Sequence, residues 1–185
     1  IKKDIISKKS KDYKKFRYHM PYVTNIDNWF TKESKFDLAI ILHHIRKNKN
    51  KNLQNFFLLG FSSIIRKASN AKNLDQHLCI KKEKKIPNVY DIFETKITLM
   101  KDQMKEYRES LDSLRQYTTP KIHTCDCREL TKITPENSVD IVITSPPYGT
   151  GSRYTDVYRM SFDWLELEKP VRRTSLEHNP DFAFV

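Results

Sequence analysis

The sequence predicts an α/β fold in which a mostly helical, basic region precedes part of a parallel β-sheet. Three observations support this prediction. Apolar residues recur at helical spacing in three segments before Pro120, residues 139–144 form a β-branched, mostly apolar run, and a Ser-Pro-Pro-Tyr loop follows that run directly. The order of helices, strand, turn, strand and loop is typical of a sheet that carries helices on its faces.

The helical region is expected to contain three helices. The first spans residues 27–47, with Asp27 or Thr31 as its N-cap, and the second spans residues 56–69, where a nearly continuous apolar run predicts burial. Polar loops rich in Lys and Asn separate these segments. The third helix, from Tyr90 to Tyr117, carries one apolar face, for which we expect core packing: Phe93, Ile97, Met100, Met104, Tyr107, Leu111 and Leu114.

Composition divides the chain into a basic lead-in at residues 1–26, a basic helical region at 27–120 and an α/β region at 121–185. Residues 1–120 hold 26 Lys and Arg against 13 Asp and Glu, or +13, and residues 121–185 hold 8 against 10, or −2, which together give +11. Such a skew favours a polyanion partner, above all nucleic acid. A solvated surface in a Lys- and Asn-rich protein explains the charge equally well.

The cysteines indicate neither disulfides nor a metal site. Cys79, Cys125 and Cys127 form no disulfide framework, and Cys125-x-Cys127 lacks the second ligand pair of a zinc site. Buried, reduced thiols in a cytoplasmic protein are therefore expected. Since no apolar run approaches about 18 residues, no membrane span is predicted.

The loop Ser145-Pro146-Pro147-Tyr148 contains the candidate catalytic residues. An exocyclic amino group on a base is a poor nucleophile, because its lone pair is delocalised into the ring. The Ser145 oxygen and the Pro146 carbonyl can accept hydrogen bonds from its N–H groups, while two prolines hold the loop rigid and donate no competing N–H. Tyr148 offers a flat face on which a base flipped out of the duplex can stack. These residue types suit methyl transfer to a base amino group.

Val139 to Gly149 (VDIVITSPPYG) resembles motif IV of the S-adenosylmethionine-dependent amino-methyltransferases. The resemblance implies a partial Rossmann-like methyltransferase sheet, preceded by a helical insertion, with S-adenosylmethionine as cofactor and DNA as substrate. A Ser-first loop is typical of cytosine-N4 enzymes, and an Asp- or Asn-first loop is typical of adenine-N6 enzymes. Upstream, Ile122 to Leu130 is similar to the family's strand-plus-acid element, which implies that Asp126 holds the adenine of the cofactor.

One part of the family's pattern is missing. These enzymes hold the methionine end of the cofactor in a Phe-x-Gly-x-Gly turn, whereas this chain has three glycines, Gly60, Gly149 and Gly151, and no such turn. We therefore expect this chain to be the later part of a methyltransferase, whose upstream half is either a separate polypeptide, acting as a partner, or lost. Two alternatives stay open: an RNA base methyltransferase, since transfer-RNA enzymes use a similar Asp-Pro-Pro-Tyr loop, and an inactive remnant that only binds nucleic acid.

Overall fold

Helices dominate the fold. The computed structural model describes residues 19–73, 78–81, 83–113, 120–123, 125–145 and 157–167. Within these ranges, α1 spans Ile26–Trp29, α2 Lys32–Arg46, α3 Lys51–Ile65, α4 Val89–Ser113 and α5 Arg159–Leu165, and a 3-10 helix spans Cys127–Lys132. An isolated antiparallel bridge joins Ala71 to Ile80 in the loop between α3 and α4.

The predicted partial Rossmann-like sheet is wrong for the part of the chain that the structure describes. These residues contain no β-strand, either at 121–123 or at 139–144. A buried parallel strand needs hydrogen-bonded neighbours and covering layers, and the described residues provide neither. Accordingly, Ile141, Val142 and Ile143 are 77%, 78% and 94% exposed. The run at 139–144 is mostly apolar, as a buried strand requires. Its residue pattern does not show whether other strands lie beside it.

Side-chain caps determine where two helices begin. The Thr31 hydroxyl accepts a hydrogen bond from the Ser34 amide at 3.1 Å, which confirms Thr31 as the N-cap of α2. The Asn50 side chain accepts bonds from the amides of Asn52 and Leu53, so α3 begins at Lys51. The second helix therefore starts five residues earlier than the apolar run at 56–69 predicts.

Helix α3 lies at the centre of the fold. It packs against α2, α4 and α5, and α2 also packs against α4. Gly60 marks the closest approach of α3 to α4, because a Cβ atom built there would lie 2.4 Å from Cδ1 of Ile97. Trp164 of α5 is fully buried beside Phe61 of α3, with ring centroids 6.0 Å apart. The helix that follows the candidate catalytic loop is thus part of the helical core.

The two halves of α4 lie in different environments. In the half nearer its N-terminus, Val89, Ile92 and Met100 are buried, at 2%, 8% and 8% exposure. In the other half, Met104 and Tyr107 are 59% and 64% exposed. The expectation that the whole apolar face packs in the core is right for Met100 and wrong for Met104 and Tyr107. Phe93, Ile97 and Leu111 are half-buried, and Leu114 lies outside the described residues.

Candidate functional site

Ser145 lies in an exposed segment that has no regular secondary structure. Its side chain is accessible to solvent, and so are the apolar residues of 139–144 that precede it. The preceding turn is held by the Ser138 hydroxyl, which donates to the Pro135 carbonyl at 2.7 Å. Pro146, Pro147 and Tyr148 lie outside the described residues. Ser145 therefore stands where an incoming ligand can reach it.

Asp126 is engaged by a neighbour in its own segment. It caps the 3-10 helix by accepting from the Arg128 amide at 3.0 Å, and the Arg128 guanidinium binds both carboxylate oxygens, at 3.0 and 2.7 Å. The pair lies at the surface. A carboxylate has about four lone-pair positions, and the hydrogen bonds from Arg128 occupy three of them. Asp126 and Ser145 are the two predicted site residues that lie in the described part of the chain.

The segment after the loop is attached firmly to the helical core. Met160 and Trp164 of α5 are 3% and 0% exposed. Just beyond α5, the Glu166 carboxylate accepts from His19 and pairs with Arg46 of α2 at 2.8 Å. The hydrogen bond from His19, together with Arg46, holds the pKa of Glu166 below its ordinary value. The chain downstream of the candidate site is thus held at several points.

Lys84, in the lysine-rich segment between α3 and α4, has a structural role that the sequence did not indicate. Its ammonium donates to the carbonyls of Arg66, Ser69 and Ala71, at 3.1, 2.7 and 2.7 Å, and to the Asn73 side chain at 2.9 Å. It therefore caps the C-terminal end of α3, where a cation is favourable. Nothing in the sequence distinguishes Lys84 from the neighbouring Lys81, Lys82 and Lys85. Lys81 and Lys85 remain exposed and available to an anion.

An apolar cavity of about 310 Å³ opens between α2, α3 and α4. Aromatic rings from α3 and α4 form much of its wall, and His44, Asn48 and Glu94 supply polar groups. Sequence analysis missed this cavity, because its walls come from three segments far apart in the chain. Its residues are Ile41, His44, Ile45, Asn48, Phe57, Tyr90, Phe93, Glu94, Ile97 and Thr98.

In the described ranges, no group of three or more His, Cys, Asp or Glu side chains is arranged to hold a metal ion. None of the helices described here is both long and apolar enough to cross a bilayer.

The chain is similar in sequence to a protein that is named as a methyltransferase. The chain is 28% identical over 158 residues to a protein of Kocuria varians named Type II methyltransferase M.MvaI, and the match covers 81% of this chain and 35% of the relative. The chain thus spans about a third of that relative's length. No protein-family model matches the chain, and no solved structure matches it.

Proposed function

We propose that this chain is part of a DNA methyltransferase that transfers a methyl group from S-adenosylmethionine to an exocyclic amino group of a base. The similarity to a type II methyltransferase over four fifths of the chain is the main support. The TSPPYG loop at residues 144–149 and the net charge of +11 agree with this chemistry and with DNA as substrate. We also propose a place in a restriction–modification system, for which the relative's designation as a type II methyltransferase is the support.

In this proposal the loop residues position the target base. The Ser145 oxygen and the Pro146 carbonyl accept hydrogen bonds from the amino group, which moves its nitrogen toward tetrahedral geometry and frees its lone pair. Pro147 keeps the loop rigid. Tyr148 stacks against the flipped base. The exposure of Ser145 supports this role, because a base must be able to reach the hydroxyl.

The chain's own residues fit one end of the cofactor. Asp126 is exposed, and its carboxylate is a group that accepts hydrogen bonds of the kind the adenine amino group donates. S-adenosylmethionine, when bound, supplies the methyl group. The methionine end needs a glycine-rich turn, and the sequence has no Phe-x-Gly-x-Gly. We propose that a second methyltransferase half supplies that turn.

Cytosine N4 is the favoured target because the loop begins with Ser145. Two alternative functions predict different reaction products. An RNA base methyltransferase would modify transfer RNA rather than plasmid DNA, and an inactive remnant would bind nucleic acid without methylating it.

The experiment combines the chain with the polypeptide encoded immediately upstream of it. The mixture receives S-adenosylmethionine with a radioactive methyl group and either unmethylated plasmid DNA or transfer RNA, and the products are digested to nucleosides and separated by mass. Label in N4-methylcytosine from the plasmid is expected. Label confined to transfer RNA, or nucleic-acid binding without label in either, would contradict the proposal.

Two serines supply matched variants. Ser145→Ala removes the acceptor beside the base and is expected to lower turnover by about two to three orders of magnitude, the usual cost of losing one positioned polar group in an active site. Ser138→Ala removes a hydroxyl seven residues upstream, in the turn with Pro135. Equal activity of the two variants would refute the role of Ser145.

A further inference from the structure

The second half of α4 carries an apolar stripe that no described residue covers. From Tyr90 onward, apolar residues follow one another at alternating spacings of three and four, which is the a and d pattern of a heptad repeat. Tyr90, Phe93 and Ile97 line the cavity between α2, α3 and α4. The same pattern continues past the core as the distal stripe, which consists of Met104, Tyr107 and Leu111. Met104 and Tyr107 are mostly exposed, and Leu111 is half-buried.

The charges around the distal stripe argue against nucleic acid as its natural ligand. Residues 101–113 hold three Lys and Arg against four Asp and Glu, or −1, although the chain as a whole is strongly basic. With Met104 at position a, the four acidic residues occupy positions b, c and f, away from the stripe. The cations Lys101 and Arg108 occupy the e positions beside it; their side chains are 74% and 75% exposed and lie 3.9 and 3.8 Å from the carboxylates of Asp102 and Asp112 on the same helix.

The same e positions argue against a second copy of this chain. In an antiparallel pair of α4 helices, e positions face each other, so Lys101 and Arg108 would meet like charges. In a parallel pair, g faces e, so Lys96 would face a second Lys101 and Gln103 would face a second Arg108. Neither arrangement forms an attractive ion pair.

We propose that the distal stripe is a docking site for a helix of another protein, with apolar residues at its a and d positions and Glu or Asp beside them. Such a helix would cover Met104, Tyr107 and Leu111 and place acids opposite Lys101 and Arg108. The 13 residues from 101 to 113 span about 20 Å, so the contact is small and acts as a transient one. This inference does not depend on the proposed methyl transfer.

Two synthetic 21-residue helices test the charge requirement on the full chain. Both carry Leu at a and d, and they differ in having Glu or Lys at every e and g position. Like charges keep each peptide from pairing with itself. In fluorescence anisotropy, the Glu peptide is expected to bind about tenfold more tightly than the Lys peptide, since two sites change from attraction to repulsion. The double variant Lys101→Glu, Arg108→Glu should reverse that order.

Variants on and off the distal stripe distinguish specific docking from nonspecific binding of the peptide. Tyr107→Ser is expected to abolish binding of the Glu peptide. Leu99→Ser, at position c and equally accessible with 50% exposure, should leave it unchanged. Thermal melting checks that both variants fold. Equal binding of the two peptides, binding of neither, or a dimer of the chain in sedimentation that Tyr107→Ser dissolves would each overturn the proposal.

Discussion

The indole of Trp164 lies edge-on against the ring of Phe30, with ring centroids 5.5 Å apart and ring planes at 76°. Phe30 follows α1, whereas Trp164 belongs to α5, more than 130 residues later in the chain. Because both side chains are fully buried, this contact joins the segment after the candidate site to the N-terminal helices. The core is therefore built partly from residues beyond the loop that carries Ser145.

The first prediction concerns this aromatic contact. Trp164→Ala is expected to lower the free energy of unfolding by about 3–5 kcal/mol, because it leaves a large cavity against Phe30 and Phe61. Trp164→Phe should cost less, since the buried indole N–H has no hydrogen-bond partner among the described residues and its loss leaves no acceptor unsatisfied. Urea denaturation measures both. Tyr158→Ala, at a position 57% exposed, is the control; a similar loss in that variant would contradict the argument.

The second prediction concerns the close approach of α3 and α4. Gly60→Leu is expected to destabilise the fold by about 1–3 kcal/mol, because the new side chain must displace both Ile97 and Met100. Gly60→Ala should cost less, since the end of the Ile97 side chain can move aside and alanine favours the helix. The order of the two melting temperatures checks the prediction. If Gly60→Leu has the same melting temperature as the wild type, α3 and α4 are not in contact at Gly60.

The third prediction concerns the lysine that caps α3. Lys84→Met leaves the carbonyls of Ser69 and Ala71 without their donor and is expected to cost about 1–3 kcal/mol. Lys85→Met removes a neighbouring, exposed lysine and should change stability by less than about 0.5 kcal/mol. Chemical denaturation of the two variants makes the comparison. Equal stability of the two variants would show that Lys84 contributes no more to the fold than an exposed lysine does.

Local patterns in the sequence predicted local structure well. Thr31 was recognisable as a cap because its side chain acts on an amide three residues away. The failures concern partners that lie outside the segment itself. The run at 139–144 reads as a strand, but pairing requires neighbours that the described residues lack. Met104 fits the apolar face of α4, yet whether anything covers it depends on the tertiary fold.

The candidate site, like the fold, could be predicted from the sequence only in part. Ser145 and Asp126 were identified from motifs, and both are accessible to solvent. The pairing of Asp126 with Arg128 was not foreseen, although the two residues lie only two positions apart. The role of Lys84 could not be foreseen, because its acceptors lie 13 to 18 residues upstream.

The fourth prediction concerns the pH dependence of stability. Burial, with help from Arg66 and Lys81, lowers the pKa of Lys84 from 10.5 to about 8. Between these two values the unfolded chain keeps a proton that the folded chain has released, so the unfolded state binds more protons and stability rises with pH. Methionine does not titrate, so the stability of the wild type relative to Lys84→Met should increase from pH 8 to pH 10.5 and stay level below pH 7. Urea denaturation of both proteins at each pH measures the difference, in which the other titrating groups cancel. A difference that stays constant, or shrinks, across this interval would show that the three carbonyl acceptors hold the proton on Lys84 against burial.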